Sequence, residues 1–333
     1  MPDKSVFSPA DIAASLLGGL AGAVVYAVLS RGPELGPMLL AQLSPLPVMI
    51  IALGLGAIHG ATAALVGTIA ITAALGPLYG MGYGLLVALP AFVGCYAAAG
   101  APVGRRDLIT RNFSGAAVTA IAAALAAAFI FFAGLSYFSR GGVDEPISFA
   151  QGAFFLVFES SLKEQGLDAE AARTAAKQFV AYAAPALMVG GAVLLHAMNL
   201  WIAARLTQIS GMLKRPWPDI ASDFVLPRGV GVVFVLALPA TLLGGPAAQV
   251  AFIIAAASGV ALALQGLAAA HFWLRGSRSG VVTLAILYCV TGVLLAPLAL
   301  FAILGLLDMG LRFRDRKTAG GDERVRPGSQ TET

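Results

Sequence analysis

The chain has 333 residues, of which 59% are hydrophobic and only 11% charged, with a mean hydropathy of +0.86 and a formal net charge of +4. Soluble domains average about 25% charged residues, so this composition excludes an ordinary soluble protein, and its hydrophobicity excludes disorder for the bulk of the chain. The cations are few and scattered, which argues against a nucleic-acid partner and leaves the lipid bilayer as the medium of the protein.

A helix needs about 20 apolar residues to cross the bilayer core. Apolar runs fall at 12–30, 37–55, 57–75, 80–99, 114–137, 182–205, 229–244, 246–272 and 280–308. They do not alternate in polarity, as β-barrel strands would. The predicted fold is therefore all-α, a polytopic bundle of nine or ten membrane helices.

The first run follows Asp3 and Lys4 and is too long for a signal-peptide core, so it reads as a retained membrane helix. Ser15, Gly19, Ala23 and Ala27 form a stripe of small residues along it. Such a stripe lets another helix approach closely, either a partner's or one of the same chain. His59 stands between the second and third runs, a polar residue whose plain reading is the cap of a tight turn.

Segment 138–181 carries four cations against six acids: Asp144, Glu145, Glu159, Glu164, Asp168 and Glu170. An amphipathic stretch, FAQGAFFLVFESSLKEQGL, and a strongly helix-forming one, DAEAARTAAKQFVAYAA, predict an extracytoplasmic helical hairpin, serving either as a connector or as a lid. Asp168 after Gly166 is a candidate N-cap.

The sixth run places His196 and Asn199 three residues apart, on one face. Gln265 lies in the eighth. Polar groups inside a membrane are costly and mark ligand or ion pathways, so these three form the candidate ligand-binding set. The plainer alternative is hydrogen bonding between helices, worth about 0.6 kcal/mol on average in membrane bundles. His271, Trp273 and Arg275 read as an interfacial anchor. Asp308, four residues before Arg312, predicts an intrahelical ion pair near the interface. Cys95 and Cys289 lie in apolar runs without metal-ligand spacing, so no metal or cofactor is expected.

Lys and Arg accumulate on the cytoplasmic side of membrane proteins. Lys4, the loop 100–113, the segment 205–228, Arg275 with Arg278, and the tail from 309 together hold 16 of the 21 cations. All of these segments are expected in the cytoplasm, with both termini there, in a bacterial inner membrane. One conflict arises. Arg275/Arg278 and the basic tail are joined by the single run 280–308, which would put them on opposite sides. Pro297 interrupts that run, and two short helices folding back would satisfy both clusters. The single membrane domain spans 1–317, and the polar end 318–333 is expected to be disordered.

Several stretches carry a family resemblance. LSPLPVMIIALGLGAIHGATAALVG is followed by APALMVGGAVLLHAMNLWIAARL, then by SDFVLPRG, LALQGLAAAHFWLR and the ending LGLLDMGLRFRDR. In this order they resemble the YybS-like family of predicted bacterial membrane proteins, a domain family of unknown function, over residues 10–315. Its first helices are in turn similar to the substrate-binding S components of energy-coupling-factor transporters. That resemblance implies a helical bundle holding a small molecule, docked through the first-helix stripe onto ATPase and coupling subunits.

The sequence has no GxxxxGK[ST] phosphate loop, HExxH or GxSxG. No enzyme is expected. The two functions in view are a binding or transport module, and a structural protein scaffolding an envelope or motility complex.

Overall fold

The computed structural model describes residues 8–31, 35–99, 113–138, 170, 174, 178–213, 217–275, 277–294 and 297–314. Among these there is no strand, and seven helices are long and apolar enough to cross a membrane. The fold is an all-α polytopic bundle. Most of segment 138–181 and all of 318–333, expected as an outer hairpin and a disordered tail, lie outside the described residues.

Helix α1 (Pro9–Ala27) begins where Ser8 Oγ accepts a hydrogen bond from the Asp11 amide at 3.1 Å. Pro9 suits that first turn, which needs no N–H donor. The second span is broken into α2 (Leu35–Ala41) and α3 (Pro45–Gly54). Gly56, at φ +114°, supplies a conformation open only to glycine and turns the chain into α4 (Ala57–Leu75). Helices α5 (Pro77–Tyr83) and α6 (Leu89–Ala99) make one span through a π-helical turn at Gly84–Ala88. Next comes α7 (Phe113–Phe138), and then α8 (Ala184–Ile209), which is entered through a second π turn at Phe179–Ala183. The four-residue helix α9 (Ile220–Asp223) precedes α10 (Arg228–Ala240) and α11 (Gly245–Leu274). Helices α12 (Gly280–Leu294) and α13 (Pro297–Leu311) complete the bundle.

Three apolar clusters hold these helices. One, around Val48, Met49, Ile121, Leu125 and Val193, joins α3, α6, α7, α8 and α11. A second joins α10, α11 and α13 around Leu262 and Phe301. The third surrounds Tyr83, fully buried against α1 and α4, with its ring edge-on to Tyr26 at 5.1 Å.

The tightest contacts are made by small residues. Apolar side chains gain nothing over lipid by touching one another, so membrane helices associate by close backbone packing. A Cβ added at Gly19 would lie 2.5 Å from the Ala63 carbonyl of α4. Across α11 and α13, a Cβ at Gly266 would overlap the Phe301 carbonyl, and one at Gly305 the Leu262 carbonyl. Large side chains such as Leu17 and Val24 point outward instead, the arrangement a lipid surround requires.

The last apolar run is two helices. Pro297 opens α13, where its missing N–H costs nothing. Each helix has 15 residues, about 22 Å at 1.5 Å per residue, and so is too short to cross a core of about 30 Å. Arg275, just before α12, bonds to Asp219, while Arg314, just after α13, bonds to the Ala221 carbonyl. Asp219 and Ala221 belong to the same cap and first turn of α9. The pair therefore leaves from and returns to one place, and the charge conflict over 280–308 disappears.

Gly266→Ala should lower stability by about 1–3 kcal/mol, because the α11–α13 backbones must separate. Gly191→Ala, with open space at that site, should be neutral or mildly stabilising. Unfolding of the two variants in detergent checks the contrast.

Candidate functional site

Residues 219–226, ahead of α10, lie against α7, α11 and the end of α13. Asp219 caps α9, its Oδ1 accepting from the Ala221 amide at 3.2 Å. The same carboxylate takes a two-pronged contact from Arg275: Nη1 donates to Oδ2 at 2.5 Å and Nη2 to Oδ1 at 2.9 Å. These bonds hold the Asp219 carboxyl at about 2, below the usual carboxylate range. Both side chains are about half exposed, so solvent screens the pair and its net stabilisation is under about 1 kcal/mol.

The second ion pair is buried. Asp308 and Arg314 meet at 2.6 Å, each side chain 4% exposed. A buried pair persists only when its remaining donors and acceptors are satisfied, and here they are. Arg314 Nη1 donates to the Ala221 carbonyl at 2.9 Å and Nη2 to the Phe224 carbonyl at 2.8 Å. Gln265 Nε2 donates to Asp308 Oδ2 at 2.9 Å, while Gln265 Oε1 accepts from the Leu226 amide at 2.9 Å. The network ties α11, the end of α13 and the 221–226 segment together.

This corrects the expected Asp308–Arg312 pair. Arg312 is exposed and adopts a left-handed conformation, φ +50°, at the end of α13. Helix ends often use such a residue to reverse the chain. The reversal brings Arg314, six residues on, back to the carboxylate. Helical spacing could not reveal this partner, because the helix stops between the two residues.

The three polar residues read as a ligand-binding set have separate neighbours. Asn199 Nδ2 donates to the Gln42 carbonyl at 2.7 Å and to Leu195 at 3.0 Å. His196 Nδ1 pairs with the Ala192 carbonyl at 2.9 Å. Asn199 reaches the chain between α2 and α3, His196 lies by Val87 of the π turn between α5 and α6, and Gln265 belongs to the Asp308 network. Among the described residues, His196 Nε2 and Asn199 Oδ1 have no hydrogen-bond partner.

The first-helix stripe faces inward. Ser15, Gly19 and Ala23 are buried, and Ala27 is half-buried. Gly19 packs on α4, as described. Ser15 Oγ donates to the Asp11 carbonyl at 2.7 Å, so His59 Nδ1, 2.9 Å away, is the donor to Ser15. His59 is thus a buried cross-link between α1 and α4. Within this chain the stripe is occupied.

A cavity of about 590 Å³ opens between α7, α8, α11, α12 and the α9 segment. That is within the range of small-molecule sites, about 300–1,000 Å³. Leu194, Met198 and Trp201 of α8 form one wall, and Phe224 and Trp217 close another. On α11 the lining residues are Leu264, Leu267, Ala268, His271 and Arg275, a single helical face. Polarity rises along that face. The first three are apolar, His271 bonds to Tyr288 at 2.6 Å, and Arg275 bonds to Asp219. Met198, Trp201 and Tyr288 are each about half exposed, so the cavity is open on their side. None of His196, Asn199 and Gln265 lines it. Sequence pattern assigned His271 and Arg275 to an interfacial anchor. Only the Asp219 contact, 56 residues away in sequence, shows that they border a hollow.

These features define a polytopic helical membrane protein with a polar-rimmed cavity at one end of its bundle. The chain belongs to the DUF2232 family of predicted membrane proteins, whose pattern matches residues 24–309, in keeping with the YybS-like resemblance. No curated protein and no solved structure matches it.

Asp308→Ala should cost about 3–5 kcal/mol, because it strands the Arg314 guanidinium in a buried site. The double replacement Asp308→Leu with Arg314→Met should recover only part of that loss, since it removes the stranded charge but leaves Gln265 Nε2 and the Ala221 and Phe224 carbonyls without these partners. Unfolding of the single and double variants in detergent measures both.

Proposed function

We propose that this protein is an inner-membrane binding or transport module that holds a small molecule in the cavity beside α9. The observation that carries this reading is the cavity itself: an apolar hollow of ligand size with a few convergent polar groups at one end. Intramembrane carboxylates are scarce among the described spans, and Asp308 is committed to Arg314. A carrier driven by a membrane carboxylate is therefore not favoured.

Both termini lie in the cytoplasm on this reading. The positive-inside rule places Arg205, Arg228, Arg275 and Arg314 there, and so puts the cavity near the cytoplasmic interface. The protein is not an enzyme but works with separate ATPase and coupling subunits, as its resemblance to transporter S components implies. The absence of a phosphate-loop motif from its sequence fits that arrangement. Partner docking uses a face other than the α1 stripe, which α4 already covers.

Native mass spectrometry of protein extracted gently from its own membrane tests this reading. The expected result is a small molecule retained at about one per chain, together with ATPase and coupling subunits in fixed ratio. A protein carrying only envelope proteins would move the function to a scaffold.

A further inference from the structure

Resting on the reading of the cavity as a binding site, we infer that its occupant is a zwitterionic phospholipid of the surrounding bilayer, with acyl chain in the hollow and headgroup at Arg275 and Asp219. The polarity gradient along α11 matches an amphiphile. Leu264, Leu267 and Ala268 face Leu194, Met198 and Trp201 across an apolar space, while every ionisable side chain of the lining sits toward Arg275. A water-soluble ligand would leave that apolar length poorly used, whereas an acyl chain fills it. The half-exposed mouth at Met198 and Trp201 lies between outward-facing apolar side chains, so entry from the bilayer needs no passage through water.

Charge decides the headgroup. The rim carries one full cation, Arg275, and one full anion, Asp219, held to each other 2.5–2.9 Å apart. An anionic lipid would gain Arg275 but be repelled by Asp219. A headgroup bearing both a phosphate and an ammonium pairs with each partner: the phosphate accepts from Arg275, and the ammonium donates to Asp219. The rim and such a headgroup each sum to zero, so neither charge is left uncompensated. Both rim residues are exposed enough to exchange their mutual bond for the lipid.

The test uses the full chain, delipidated in detergent and titrated with phosphatidylethanolamine or phosphatidylglycerol of identical acyl chains, read by native mass spectrometry. The wild type should bind one phosphatidylethanolamine at least tenfold more tightly than phosphatidylglycerol. Asp219→Asn should abolish that preference by losing the ammonium contact. Arg275→Gln should weaken both lipids. Ala197→Phe, which fills the hollow without touching the rim, should remove the bound lipid. Equal binding of the two lipids to the wild type, or a preference that survives Asp219→Asn, overturns the inference. So does lipid retained by Ala197→Phe. A water-soluble compound displaced by Ala197→Phe, with no lipid preference, would keep the cavity as a binding site and reject the lipid. A scaffold would show neither a preference nor a displaced compound.

Discussion

The buried Asp308–Arg314 pair constrains the end of the bundle on which the rest of the site depends. A charged pair removed from water must be surrounded by partners or it destabilises the fold. Here the partners are Gln265 on α11 and two carbonyls of the 221–226 segment. Satisfying those charges draws an irregular stretch of chain into the bundle and fixes it there. Its own backbone is satisfied in the process, since the Leu226 amide bonds to Gln265. Polar backbone buried among apolar helices persists only when served in this way. That stretch packs backbone to backbone on Gly115 of α7, and the cavity opens beside it, toward α8 and α12.

A second consequence concerns the returning pair α12–α13. Neither helix is long enough to span, and α12 presents exposed apolar residues such as Val281 and Ile286 along much of its length. What positions the pair is its two ends. The exposed Asp219–Arg275 contact holds the start, and the buried Asp308–Arg314 contact holds the finish. Between them, the Gly266–Gly305 crossing presses α13 onto α11 backbone to backbone. One wall of the cavity is set by Tyr288, which the His271 bond ties to α11 from the middle of α12.

Much of this architecture is legible in the sequence because a membrane leaves few options. Runs of about 20 apolar residues become spans, and eight of the nine expected runs correspond to helices within a few residues. Even the fold-back at Pro297 follows from two basic clusters that must share a side. The site was less legible. Gln265 and Asp308 are conspicuous as polar residues in apolar runs, but which groups satisfy them depends on a left-handed turn at Arg312 and on an irregular segment. Neither has a periodicity to read. The first-helix stripe illustrates the same limit: small residues announce that something packs closely, not whether it is a partner or α4 of the same chain.

The account requires that α12 and α13 leave from and return to one side of the bundle. The most direct test is cysteine accessibility in intact membranes, in a Cys289→Ser background that leaves only the buried Cys95. Single cysteines at Ser277, before α12, and at Arg312, after α13, should be labelled by an impermeant thiol reagent from the same face. Labelling from opposite faces would mean that the run crosses the membrane, and would contradict both the returning pair and the buried network that anchors it.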